Sequence, residues 1–286
     1  MKFVRYRDNT GSRIGIVENG SVQAVEPAFS DLLEVIENYD RLRHDIRPAG
    51  EATPLQSVQI EAPIPHPARN IFCVGKNYRE HAREFAGSGY EAGAEKGAEI
   101  DEFPAVFTKP ASCVVATGQV VSLHEAVTQA VDYEIELAMV IGKPGINIPR
   151  ERAHEHIWGY MIVNDVTARD RQKRHKQWFL GKALDTFCPM GPWVATADEI
   201  DPENLELETR VNGEVRQRAS TRDLIFDIPS LVETISAGLT LVPGDIIATG
   251  TPAGVGIGFS PPRFLKSGDV VRMSITGLGV LENEFR

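Results

Sequence analysis

Two glutamates separated by one residue, inside an otherwise apolar run, constrain this chain more than any other feature. Asp-Tyr-Glu-Ile-Glu-Leu occupies 132–137 and continues through Ala138, Met139, Val140 and Ile141 to Gly142. The run predicts a buried strand. Side chains alternate across a strand, so Glu134 and Glu136 share a face. One reading is a half-exposed strand with solvated acids, to which Asp132 on the same face would belong. The apolar continuation favours the other: carboxylates side by side in an apolar setting repel and lose hydration unless a cation sits between them. An oxygen-only donor set takes Mg²⁺ or Mn²⁺, with Ca²⁺ also compatible, in preference to Zn²⁺.

The rest of the chain reads as short strands joined by Gly/Pro turns. A β-meander is predicted over 1–25, with a turn at 9–12 and a hairpin signal at Asn19-Gly20. A helix follows from Asp31, with Leu32, Val35, Ile36 and Tyr39 on one face. Pro63, Pro65 and Pro67 stiffen a linker, which places a boundary between a small α+β domain, 1–67, and a main domain, 68–286. In the main domain, apolar segments recur at 70–74, 105–107, 119–123, 133–141, 159–164, 193–195, 205–211, 214–217, 246–248 and 270–275. Helices are expected only near 77–86, 166–176 and 229–237. The predicted class is mostly β with few helices (α+β), a curved mixed sheet or barrel-like roll rather than a doubly wound fold. The Gly- and Glu-rich segment 86–103 is expected to be a mobile lid.

A net charge of −10 argues against nucleic acid or an anionic membrane as partner, and no apolar run reaches transmembrane length. Met1 to Asp8 alternates apolar and charged residues, as a strand does and a signal peptide does not. Cys73, Cys113 and Cys188 are scattered and odd in number, which points to a reducing cytoplasm.

Further groups carry chemistry, each with a structural alternative. Asp165 ends an apolar strand and is either a helix N-cap or a third metal ligand. A helix from Asp165 would put Arg169 and Gln172 on one face, suited to an oxygen-rich anion, or else on a basic surface helix. His81 and Glu84, at i and i+3, make either a solvated pair or a general base with its orienting carboxylate. Lys109 and Lys182 either pair with an anion inside the protein or reach out from a strand edge. The Gly-rich run 250–256 presents amides and the Thr251 hydroxyl to a ligand, or is a tight turn; it lacks the Gly-Lys-Ser/Thr of a phosphate loop.

Taken in order, six blocks resemble the fumarylacetoacetate hydrolase family, in its acylpyruvate hydrolase and hydroxyheptadienedioate isomerase-like branch. They are Val-Gly-Lys-Asn-Tyr-Arg-Glu-His-Ala, Phe-Thr-Lys-Pro, Asp-Tyr-Glu-Ile-Glu-Leu-Ala, Asn-Asp-Val-Thr-Ala-Arg-Asp-Arg-Gln, Lys-Ala-Leu-Asp-Thr-Phe-Cys-Pro-Met-Gly-Pro and Gly-Asp-Ile-Ile-Ala-Thr-Gly-Thr-Pro-Ala-Gly-Val-Gly. The resemblance covers about 68–286. It implies a mixed β-sandwich roll and a homodimer. It implies Mg²⁺ or Mn²⁺ on Glu134, Glu136 and Asp165, and a His81/Glu84 dyad on a lid helix. It implies substrate-holding groups at Arg169, Gln172 and Lys182, with Thr251 nearby; Lys109 joins these as a candidate substrate contact.

The expected activity is divalent-metal-dependent hydrolysis of a C–C bond in a 2,4-dioxo acid such as an acylpyruvate, by way of an enolate. His81 would activate the water and Lys182 would stabilise developing charge. Decarboxylation of oxaloacetate-type acids, or dienol–enone isomerisation, is the alternative on the same site. The implied homodimer predicts that light scattering at micromolar concentration returns twice the monomer mass; a monomer mass alone would contradict it.

Overall fold

The structure, a computed structural model, describes residues 1–89 and 101–286. Most of the expected lid segment, 90–100, lies outside the described residues. A long mixed sheet forms the backbone of the molecule. Its strands lie in the order Arg47–Pro54, Ser21–Glu26, Gly11–Glu18, Lys2–Asp8, Cys188–Thr196, Ile157–Asn164, Ile135–Ile141, Ile246–Ala248, Ile71–Gly75 and Ala105–Lys109. Neighbours along this path are antiparallel except Ile246–Ala248 with Ile71–Gly75. A four-stranded antiparallel sheet, ordered Glu214–Ser220, Glu206–Val211, Val270–Ile275 and Gly279–Glu284, packs against the central strands. This is a mostly β architecture with few helices, as the turn-punctuated sequence predicts.

The central strands explain their composition. Every residue of Ile135–Ile141 and of Ile157–Asn164 is buried, because each strand has a neighbour on both edges and cover on both faces. Glu136 is the one charged side chain in either strand.

The first sixty residues do not form a separate sheet. Lys2–Asp8 pairs with Cys188–Thr196, so the N-terminal meander extends the main sheet. Phe3, Ile14 and Ile16 belong to the same apolar core as Leu137 and Ile162. The helix Leu32–Leu42 starts as expected: the Asp31 carboxylate accepts from the Glu34 amide at 2.9 Å.

Three local expectations differ. Residues 119–123 form only an isolated bridge, Val121 to Phe285, because their partners are the C-terminal residues rather than a full strand. The helix near 166–176 is shorter, Arg169–Arg174, since Thr167 and Ala168 pair instead with Asp132 and Val131. A further short helix, Phe179–Lys182, carries no sequence signal beyond its four residues.

Asn77 ties the elements around the site together. Its side chain donates to the Thr249 and Phe226 carbonyls and accepts from the Phe226 amide, and all of Asn77 is buried. Asn77→Ala would leave buried backbone groups unpaired at ~1–3 kcal/mol each. The variant should therefore unfold at a lower denaturant midpoint with the slope unchanged, at a total cost of ~2–5 kcal/mol.

Candidate active site

The register of two strands assembles the carboxylates. Ile135 stands opposite Asn164, so Glu134 and Asp165, which flank these strand ends, become cross-strand neighbours. The Asp165 amide donates to the Glu134 carbonyl at 2.9 Å, and the Asn164 side chain accepts from the Glu134 amide at 3.0 Å. Alternation then brings Glu136 to the same face. One ligand atom from each of Glu134, Glu136 and Asp165 can be chosen so that all lie within 4.8 Å of one another, and all three residues are buried. Asp165 is not a helix N-cap, since its helix begins four residues later with Ala168 in that place.

Cations brace two of the three. Lys182 Nζ lies 2.8 Å from Glu134 and 2.5 Å from Asp165. Arg169 places Nη2 2.6 Å from Glu134 and donates from Nε to Asp132 at 2.9 Å. Lys109 Nζ lies 2.7 Å from the other Asp165 oxygen and donates to the Val166 and Lys182 carbonyls. Lys109 thus stands behind Asp165, fully buried and off the lining of the cleft, where it holds a carboxylate in place. Burial opposes its charge, yet Asp165 outweighs burial and raises its affinity for the proton.

Glu136 has no such partner. Its carboxylate accepts from the Gly250 amide at 2.8 Å. Burial, then the charges of Asp165 and Glu134, push its carboxyl well above the ordinary carboxylate range. Glu134 goes the other way: burial resists ionisation, but Lys182 and Arg169 override it and hold the group ionised. Four buried carboxylates, counting Asp132, face three buried cations, Lys109, Lys182 and Arg169, so full ionisation would leave one negative charge uncompensated. A divalent cation on Glu134, Glu136 and Asp165 fits this oxygen-only set, cancels the excess and leaves one net positive charge for an anionic ligand.

A narrow cleft opens on the carboxylates. His81, Arg169, Gln172, Lys182 and Thr251 line it together with Glu134 and Glu136. Phe85, Phe107 and Trp178 form its aromatic wall, with Trp178 edge-on to both phenylalanines. Arg169 and Gln172 share a face of their helix, and Arg169 Nη1 donates to the Gln172 carbonyl at 3.2 Å. Thr251 Oγ1 accepts from Gln217 at 2.8 Å, which leaves its hydroxyl proton free to donate elsewhere. Larger clefts lie elsewhere, but among the described residues no other cluster of metal-ligating groups was found.

His81 and Glu84 meet on the helix Arg79–Gly87, with His81 Nδ1 3.1 Å from the Glu84 carboxylate. The carboxylate favours the proton on Nδ1 and leaves Nε2 as the basic nitrogen. Glu84 is itself held by the Gly254 amide, at 3.0 and 3.3 Å. Gly258 lies against it: a Cβ there would run into the Glu84 carboxylate, which would have to shift.

The structure therefore gathers His81, Glu84, Glu134, Glu136, Asp165, Arg169, Gln172, Lys182 and Thr251 and sets Lys109 behind them. Sequence reasoning overlooked two contributors. Asp132 is fully buried rather than solvated, and its alternation with Glu134 and Glu136 was the available signal. Gln217 lies on the second sheet and carries no local signal.

The site and fold define an enzyme class. The Fumarylacetoacetate (FAA) hydrolase C-terminal family matches residues 70–286, and an Rv2993c-like N-terminal domain matches residues 1–63. The chain belongs to the fumarylacetoacetate hydrolase family, whose members include hydrolases, isomerases and tautomerases. It is 55% identical over 231 residues to the oxaloacetate tautomerase YisK of Bacillus subtilis, covering 80% of this chain and 74% of that protein. A fumarylacetoacetate hydrolase from Exiguobacterium antarcticum superposes with a TM-score of 0.85 at 41% identity, over 100% of this chain and 99% of the other. The maleylpyruvate hydrolase of Sphingobium sp. SYK-6, solved with manganese(II) and pyruvate, superposes with a TM-score of 0.78 at 32% identity, over 100% and 98%.

The raised Glu136 carboxyl would set the pH dependence of metal binding. A group that holds its proton more tightly in the metal-free protein would release it to an arriving ion, so affinity should rise with pH. Calorimetry with Mn²⁺ in buffers of different ionisation enthalpy should show proton release, with affinity rising up to about tenfold per pH unit below the Glu136 pKa. Glu136→Ala should abolish binding; a pH-independent affinity would contradict this account.

Proposed function

We propose that this protein enolises a small 2-oxo dicarboxylic acid, with keto–enol tautomerisation of an oxaloacetate-like substrate as its reaction. The observation that carries the reading is Glu136, buried with no cation paired to it, beside a narrow cleft also lined by His81 of the dyad and by an arginine–amide pair. The 55% identity to an oxaloacetate tautomerase supports the substrate class, and the cationic and amide donors lining the cleft, Arg169, Gln172 and Lys182, suit a dicarboxylic acid. A divalent ion held by Glu134, Glu136 and Asp165 would supply Lewis-acid polarisation of the 2-oxo group.

The chain's own groups account for the rest. Arg169 and Gln172 would bind a substrate carboxylate through N–H donors, and Thr251 would add a hydroxyl donor. His81 Nε2 would remove the proton at C3, whose electron pair becomes the C2–C3 double bond. Lys182, already between two carboxylates, would hold or supply the proton at the 2-oxo oxygen. Glu84 would stabilise the imidazolium formed in that step. The aromatic wall of Phe85, Phe107 and Trp178 would keep water away from the enol.

C–C hydrolysis of a 2,4-dioxo acid is the second reading, favoured by the dyad and by the likeness to a maleylpyruvate hydrolase. It uses His81 differently, to deprotonate a water that attacks the distal carbonyl.

Oxaloacetate tautomerisation followed by enol absorbance, with added Mg²⁺ or Mn²⁺, tests the first reading; acylpyruvate cleavage tests the second. Chelation should abolish activity and either ion should restore it. His81→Ala should slow the reaction by ~10²–10⁴-fold while Mn²⁺ affinity holds. A variant as fast as wild type would remove His81 from the chemistry.

A further inference from the structure

Asp132 touches neither the cavity nor the three candidate ligands, yet it is the most heavily bonded carboxylate of the site. It is fully buried and accepts from Arg169 Nε at 2.9 Å, the Gly256 amide at 2.6 Å, the Ile257 amide at 3.1 Å and its neighbour Tyr133's amide at 2.9 Å. One segment, 250–258, supplies amides to three carboxylates of the site. Gly250 serves Glu136, Gly254 serves Glu84, and Gly256 with Ile257 serves Asp132. The Tyr133 hydroxyl closes the loop by donating to the Gly254 carbonyl at 2.9 Å.

We infer that Asp132 is a positioning residue that couples the arginine clamp to the His81–Glu84 dyad through the turn 254–258. On one side it takes Arg169 Nε, which leaves Nη1 and Nη2 for Gln172 and Glu134. On the other it pins two amides of the turn whose Gly254 holds Glu84. A shift of the turn moves Glu84, and Glu84 orients His81. Removing the Asp132 charge therefore disturbs substrate binding through Arg169 and proton transfer through the dyad together. The inference rests on the proposed function for its kinetic consequence, but its structural half stands without any activity.

Asp132→Asn keeps the shape and puts a donor where one oxygen now accepts. Amide hydrogen exchange on the full metal-free chain should show the Gly256 and Ile257 amides exchanging at least tenfold faster. The deciding signal is Gly254, which bonds Glu84 and not Asp132; it should accelerate as well. Acceleration confined to Gly256 and Ile257 would overturn the coupling. Should Asp132→Asn fail to fold, Glu84→Ala reports the same coupling from the other end by accelerating Gly256 and Ile257; no change there would equally overturn it. With oxaloacetate as substrate, Asp132→Asn should raise KM and lower kcat, each at least tenfold, with the Mn²⁺ dissociation constant within about threefold of wild type. An equal loss of Mn²⁺ affinity would make Asp132 mere support for the ligands and sink the proposal. A wild-type protein inert towards 2-oxo acids would refute the proposed function alone, and the exchange result would still decide the coupling.

Discussion

Burial of four carboxylates around three cations is the condition to which the rest of this structure answers. In a low-dielectric interior an unpaired charge is far more costly than at a surface, so each carboxylate needs a partner or must take up a proton. Glu134 and Asp165 are paired by Lys182, Arg169 and Lys109, and Asp132 by Arg169 and three amides. Glu136 is left with one amide and two repelling neighbours. The fold concentrates at one residue the demand for an added cation, and that residue borders the cavity.

The loop 250–258 carries the second half of the design. Its backbone, not its side chains, does most of the holding, and this explains its glycines. Gly250 has φ +106, and a Cβ there would lie 2.7 Å from that of Asn77. Any side chain at Gly258 would displace Glu84. With glycines at 250, 254, 256 and 258 the backbone can approach three carboxylates at once.

Much of the site was legible because its parts obey short-range rules. Alternation along one strand puts Glu134 and Glu136 on a common face, and helical spacing sets His81 against Glu84 and Arg169 against Gln172. Less legible were groups whose roles depend on partners far along the chain. Asp132 reads as a solvated acid from its local sequence because its partner Arg169 is thirty-seven residues away. For Lys109, an apolar setting and a charge do not tell which side of Asp165 it occupies. Gln217 reaches Thr251 from the other sheet, and no pattern in its own strand announces that contact.

By itself the sequence determined the mostly β class, the buried strand with its paired glutamates, the dyad, and the turn-rich punctuation between strands. These follow from periods of two and of three to four residues and from the conformations open to Gly and Pro, all of which act over a few residues. The tertiary structure decided that the N-terminal meander continues the main sheet, that Asp165 faces Glu134 across two strand ends, and that one glycine-rich loop binds three site carboxylates. Those outcomes depend on strand order and register between distant segments, which are set only when the chain buries its apolar faces together.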